Sequence, residues 1–340
     1  MSAVIIENAV CQRRPTVANS SRLAWLDFSR LFAAYSIVWL HTPRSPQLAS
    51  WAVIGRFAVP FFTAGAVFFV IDGLRRQSDR TLREYTINRF RRIYLPFLAW
   101  SVIYLAFKAA KKLALPDEPN DFSGIEVLWT GTFWHLWFMP FILIVTLSTF
   151  FIGQLILGCP NVERVMCLAM VAMGFVLASI DPPAWIAADT RFCLLAWNAL
   201  PAACWGLGLT LGFPSGLNQL VASRTTSLIA ICSFAALVAW LAAFGRNDLI
   251  ENATGLLLLV AALQPKSPRW ITNVGRFGVV AFGIYLAHLL LIKTCEAVAA
   301  KLHWPISWQL DLLIFAVAAA GSTWLAWVLA RTRRTRWLAA

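Results

Sequence analysis

Long apolar stretches recur along this chain, broken by short segments of charge, proline and glycine. Crossing the hydrocarbon core of a bilayer takes roughly 20 residues of α-helix. Stretches of that order fall at residues 23–41, 51–71, 93–109, 133–153, 165–181, 192–211, 226–244, 249–264, 277–293 and 310–330. The pattern predicts an all-α integral membrane protein of about ten transmembrane helices. Residues 1–22 are polar and Arg-containing, with no apolar core, so the first stretch is read as an uncleaved helix and not as a signal peptide.

Composition agrees. Of 340 residues, 59% are hydrophobic and 13% charged, against about 25% charged in a typical soluble domain. That charge is too sparse to cover a water-soluble particle, which excludes the pair of soluble domains that length alone would allow. The 17 tryptophans suit membrane–water interfaces. Most of the seven cysteines lie within apolar stretches and none forms a CxxC pair, so they read as small buried hydrophobes.

The basic residues are distributed by side. Arg13, Arg14 and Arg22 precede the first stretch, Arg75, Arg76, Arg80, Arg83, Arg89, Arg91 and Arg92 follow the second, and Arg331, Arg333, Arg334 and Arg336 end the chain. Over all loops, about 19 of the 29 Lys and Arg share one side and about 8 the other, which predicts both termini cytoplasmic and an even number of spans. The net charge of +13 is thus chiefly a topology signal; membrane lipids are the expected surroundings and nucleic acid is not an expected partner. The domain reading is a cytoplasmic N-terminal tail (1–21), a transmembrane domain (22–331) and a basic cytoplasmic C-terminal tail (332–340). The longest outer loop, 110–132, carries Asp117, Glu118, Asp121 and Glu126; it reads as a solvated loop, with a role in meeting substrate as the alternative. No internal repeat is visible.

Ionisable groups inside a membrane are costly and so are candidates for function. The first stretch holds Asp27, Arg30 and His41. At 100° per residue, Arg30 lies about 60° from Asp27 and His41 about 20° from Arg30, so all three share a face, with roughly 16 Å of axis between Arg30 and His41. Asp27–Arg30 also reads as a structural pair, which leaves His41 unexplained. The expected topology places His41, His135 and His288 at one depth, the outer third of the bundle. A lone membrane histidine is commonly a satisfied hydrogen-bonding group; three together suggest a site, because imidazole exchanges protons near neutral pH. No ligand spacing supports a metal. On the opposite side, Arg89 and Arg92 are three residues apart and point the same way if helical. They read as membrane anchors, or as forks for a phosphate-bearing cosubstrate.

These residues resemble the membrane acyltransferase 3 family, bacterial proteins that O-acylate sugars. Arg30 followed eleven residues later by His41 resembles its first-helix signature; Phe61-Phe62-Thr63-Ala64-Gly65 resembles its FFxxSG segment, with Ala64 where Ser is frequent; Arg89–Arg92 resembles its RxxR motif; His135-Leu136-Trp137-Phe138 resembles HLWF; and Gly283–His288 resembles GxYLxH. The chain looks closest to the HLWF branch without an appended hydrolase-like domain. The resemblance implies a transferase of the bacterial cytoplasmic (inner) membrane. It would move an acyl group, usually acetyl, from cytoplasmic acyl-CoA to a hydroxyl of a surface glycan or its lipid-linked precursor, with no bound cofactor. It implies Arg89 and Arg92 on CoA phosphates, His41 as general base in direct transfer (with an acyl-histidine relay as the alternative), Arg30 on the thioester or developing oxyanion, and Asp27 holding Arg30. His135, Trp137, Tyr285 and His288 would bind the acceptor. The rival reading is a secondary transporter, whose polar groups would line a path, although no paired broken helices are seen.

Overall fold

The computed structural model describes residues 23–77, 79–114, 124–184, 186, 191–213, 224–264 and 267–339. The N-terminal tail and the acidic residues Asp117, Glu118 and Asp121 of the long loop lie outside them. Among the described residues there is no strand. The ten predicted helices are present: α1 (Ala24–Leu40), α2 (Ala58–Arg76), α3 (Leu95–Ala114), α4 (Phe138–Ile156), α5 (Pro160–Ser179), α6 (Arg191–Gly212), α7 (Arg224–Phe244), α8 (Asp248–Ala262), α9 (Ala281–Lys301) and α10 (Trp308–Arg331). Among the described residues, eight helical segments are long and apolar enough to cross a membrane; α1, with 17 residues, and α8, with 15, are shorter.

The short helices are the sheltered ones. α1 buries Leu26, Asp27, Ser29, Leu31, Ala33, Ala34, Ile37 and Val38, and packs on α8, α9 and the segment Arg269–Val280. α8 lies against α2, α6 and α7. α5, by contrast, buries only Gly174 and turns Val165, Leu168, Phe175 and Val176 outward. An exposed apolar face of that extent has no place on a soluble monomer and suits lipid. The chain is an all-α, multi-pass integral membrane protein.

The third element begins earlier than expected. Thr81 and Glu84 form a reciprocal capping box, so the arginine-rich stretch starts a helix (Leu82–Arg89) where the sequence reading places a loop. That helix continues through a π turn (Phe90–Tyr94) into α3. The C-terminal tail is likewise not free. The turn Arg336–Leu338 folds back, the Trp100 indole N–H donates to the Leu338 carbonyl at 3.0 Å, and Ala339 is fully buried near Gly283 and Ala326.

Two helices near the centre have a backbone rung spliced by a neighbour. Pro201 interrupts α6. The Asn252 side chain, from α8, accepts from Ala202 N–H at 3.1 Å and donates to Asn198 C=O at 3.0 Å, taking over one rung. Such rescue by a neighbouring helix is what makes an intramembrane proline tolerable. In α9, the Tyr104 hydroxyl donates to Leu286 C=O at 2.7 Å and accepts from Leu290 N–H at 3.2 Å. Both splices flank the site described next.

Candidate active site

His41 caps the C-terminal end of α1. Its loop is held from across the bundle: Asp311, buried in the first turn of α10, accepts from Arg44 N–H at 3.1 Å, Ser45 N–H at 2.9 Å and Ser45 Oγ–H at 2.6 Å. His135 lies in a 3₁₀ turn (Trp134–Trp137) that leads into α4 and buries His135, Leu136 and Trp137. His288 is fully buried in α9.

The structure brings these three imidazoles together. His41 stacks on His288 with centroids 5.4 Å apart and planes 14° apart, and His135 meets His288 edge-on at 5.1 Å. Trp134 stands edge-on to His41 at 4.5 Å. Tyr285 donates its hydroxyl to the His135 carbonyl, pinning the 3₁₀ turn to α9. His288 Nδ1 lies 2.6 Å from the Tyr285 carbonyl. A carbonyl only accepts, so Nδ1 carries the proton and Nε2 presents a lone pair; that nitrogen is buried without a partner. No cluster of His, Cys, Asp and Glu suited to a metal occurs among the described residues.

His288 stands behind the imidazoles of His41 and His135, which, together with Trp134, Trp137, Phe138 and Tyr285, line a cavity of about 230 Å³. Its remaining polar lining was not legible in the sequence reading: Arg56, Glu251 and Asn198. Arg56 and Glu251 pair at 3.6 Å. Arg56 reaches this position because the 3₁₀ segment Ala49–Gly55 presses on α1; a Cβ on Gly55 would collide with the Ser36 carbonyl. A search of every predicted span for ionisable groups, extended beyond the histidines and the first helix, would have flagged both residues.

Asp27 and Arg30 pair at 3.7 Å at the other end of α1. Neither lines the cavity. With roughly 16 Å of helix between Arg30 and His41, the two cannot act on the same carbonyl, so the expected oxyanion role of Arg30 is not supported by the geometry. Arg89 donates from Nε to the Tyr85 hydroxyl at 2.8 Å and stands over that ring, while Arg92 is exposed within the π turn. The α-helical register that would align the two arginines is thus interrupted between them; π turns often mark functional positions.

A multi-pass membrane protein with histidines gathered around a cavity at one end and arginines at the other restricts the class sharply. The family model described as an acyltransferase domain matches residues 23–331, and the chain belongs to the acyltransferase 3 family. No curated protein matches, and no solved structure matches. The protein is a membrane acyltransferase by family.

Proposed function

We propose that the protein moves an acetyl group from acetyl-CoA to a hydroxyl of a glycan or lipid-linked sugar at the bacterial cytoplasmic membrane. The single observation that carries this reading is the His41 imidazole on the cavity wall, backed by the buried ring of His288 stacked behind it. In this reading both termini and the arginine-rich end face the cytoplasm. Arg92, with Arg89 behind it, holds CoA phosphates there, and Arg30 with Asp27 borders the donor's route along α1.

His41 acts as general base. It takes the acceptor hydroxyl proton as the oxygen attacks the thioester carbonyl; the new C–O ester bond forms, the C–S bond breaks, and the proton passes to the departing CoA sulfur. Positioned proton transfer of this kind contributes about 10²–10⁴ in rate. His288, its tautomer fixed, supports His41 through the stacked face. The cavity's aromatic rings hold the acceptor.

The test uses sealed proteoliposomes, acyl-labelled CoA and a glycan acceptor confined to opposite sides. Label recovered as an ester on the acceptor supports the reading. Solute movement with no ester formed would overturn it in favour of a transporter.

A further inference from the structure

Acyl transfer as set out above makes no use of the Arg56–Glu251 pair. Glu251 is 6% exposed, and its Oε1 is buried with no hydrogen-bond partner. Its other oxygen stands 3.6 Å from Arg56 Nη1, longer than the roughly 2.7–2.9 Å of a strong charge-assisted bond. Buried polar atoms in folded proteins nearly always have partners. Glu251 lines the cavity, so a turn of its carboxylate brings the unpaired oxygen to a ligand there, which completes it. A carboxylate accepts only, so that ligand must donate. Sugar hydroxyls donate, whereas the thioester group does not and CoA phosphates would be repelled; the pantetheine amides of CoA are the competing donors, and the CoA arm of the experiment below separates them from a sugar. Asn198 adds an amide to the same wall, and Trp134 and Trp137 add flat apolar surface for a sugar's C–H face. The cavity's 230 Å³ lies below the roughly 300–1,000 Å³ of drug-sized sites, so one sugar ring fills it and its open side leaves the rest of an acceptor outside.

We infer that Glu251, together with Arg56 and Asn198, recognises a second hydroxyl beside the one to be acylated on a single pyranose ring of the acceptor. The inference rests on the acyl-transfer reading. It makes Glu251 a determinant of acceptor specificity that leaves the donor untouched. Arg56 balances the carboxylate's charge and offers N–H donors to neighbouring sugar oxygens.

The experiment measures binding of methyl glycopyranosides (gluco, galacto, manno and N-acetylglucosaminide) and of CoA to the detergent-solubilised protein by titration calorimetry, for wild type and Glu251→Gln. At least one glycoside binds wild type, and Glu251→Gln binds it about tenfold more weakly with CoA binding unchanged. Deoxy derivatives of that glycoside identify the hydroxyl: the one whose removal weakens wild type but adds nothing in Glu251→Gln is Glu251's partner. Wild type that binds CoA but no glycoside, or Glu251→Gln that binds glycosides as wild type does, overturns this inference alone. Wild type that binds neither overturns the acyl-transfer reading as well. Should Glu251→Gln fail to fold, Asn198→Ala, which disturbs no buried charge, carries the same expectation and the same refutation.

Discussion

The ring of His288 lies parallel to that of His41, centroids 5.4 Å apart, and its Nδ1–H is spent on the carbonyl of Tyr285. An imidazole so fixed offers its face to the neighbour that becomes cationic when it takes a proton. A charge over an aromatic face is favoured by about 0.5–2 kcal/mol. His288→Leu, similar in bulk, should therefore lower kcat about tenfold and leave the KM for acyl-CoA unchanged in steady-state kinetics. An unchanged kcat would remove His288 from the mechanism.

Asp311 organises the loop behind His41 by accepting three hydrogen bonds from Arg44 and Ser45. Asp311→Ala strands those donors, and each buried unpaired group costs about 1–3 kcal/mol. The expected outcome is a lower thermal midpoint and a fall in kcat. Asp311→Asn, which keeps an acceptor oxygen in place, should recover most of both. Equal damage from the two variants would show that the loop depends on the charge and not on its hydrogen bonds.

Gly278 lets the segment before α9 touch α1: a Cβ there would overlap the backbone of Asp27, whereas Gly73 has nothing within 4 Å. Overpacking of this kind typically costs about 1–3 kcal/mol. Gly278→Ala should depress thermal stability in detergent while Gly73→Ala does not. Matching midpoints for the two would mean that the α1 contact is looser than described.

The folded-back C-terminus gives a further expectation. Removing residues 333–340 deprives the Trp100 indole of its acceptor and uncovers the surface that buries Ala339. The truncated protein should melt lower, and Trp100→Phe should reproduce part of the loss by deleting the same hydrogen bond, about 1 kcal/mol. A truncation with wild-type stability would make the C-terminus a passive tail after all.

Much of this architecture was legible in the apolar pattern, because a helix in lipid must satisfy its own backbone and therefore writes its length into the sequence. The common depth of His41, His135 and His288 followed from counting spans, and the structure gathers them. What the sequence hid is of two kinds. Local pattern misjudged Leu82–Arg89, where a capping box starts a helix among arginines, and residues 332–339, where basic residues mask a buried Ala339. Long-range pairing hid the rest. Asp311 holds a loop 266 positions away, Tyr104 enters α9 from 186 positions away, and Arg56 meets Glu251 only once α2 and α8 pack. No periodicity within a single helix carries such contacts. The helical-face argument grouped Asp27, Arg30 and His41 by angle, and the roughly 16 Å of axis it also gave is what keeps Arg30 from His41's chemistry.

The most direct measurement is acceptor-dependent release of free thiol from acetyl-CoA by the purified, reconstituted protein, with His41→Ala beside wild type. Acyl transfer centred on His41 requires acceptor-stimulated thiol release in wild type and its loss, by at least about 10², in the variant while CoA still binds. Release that persists undiminished in His41→Ala would contradict the role given to that histidine.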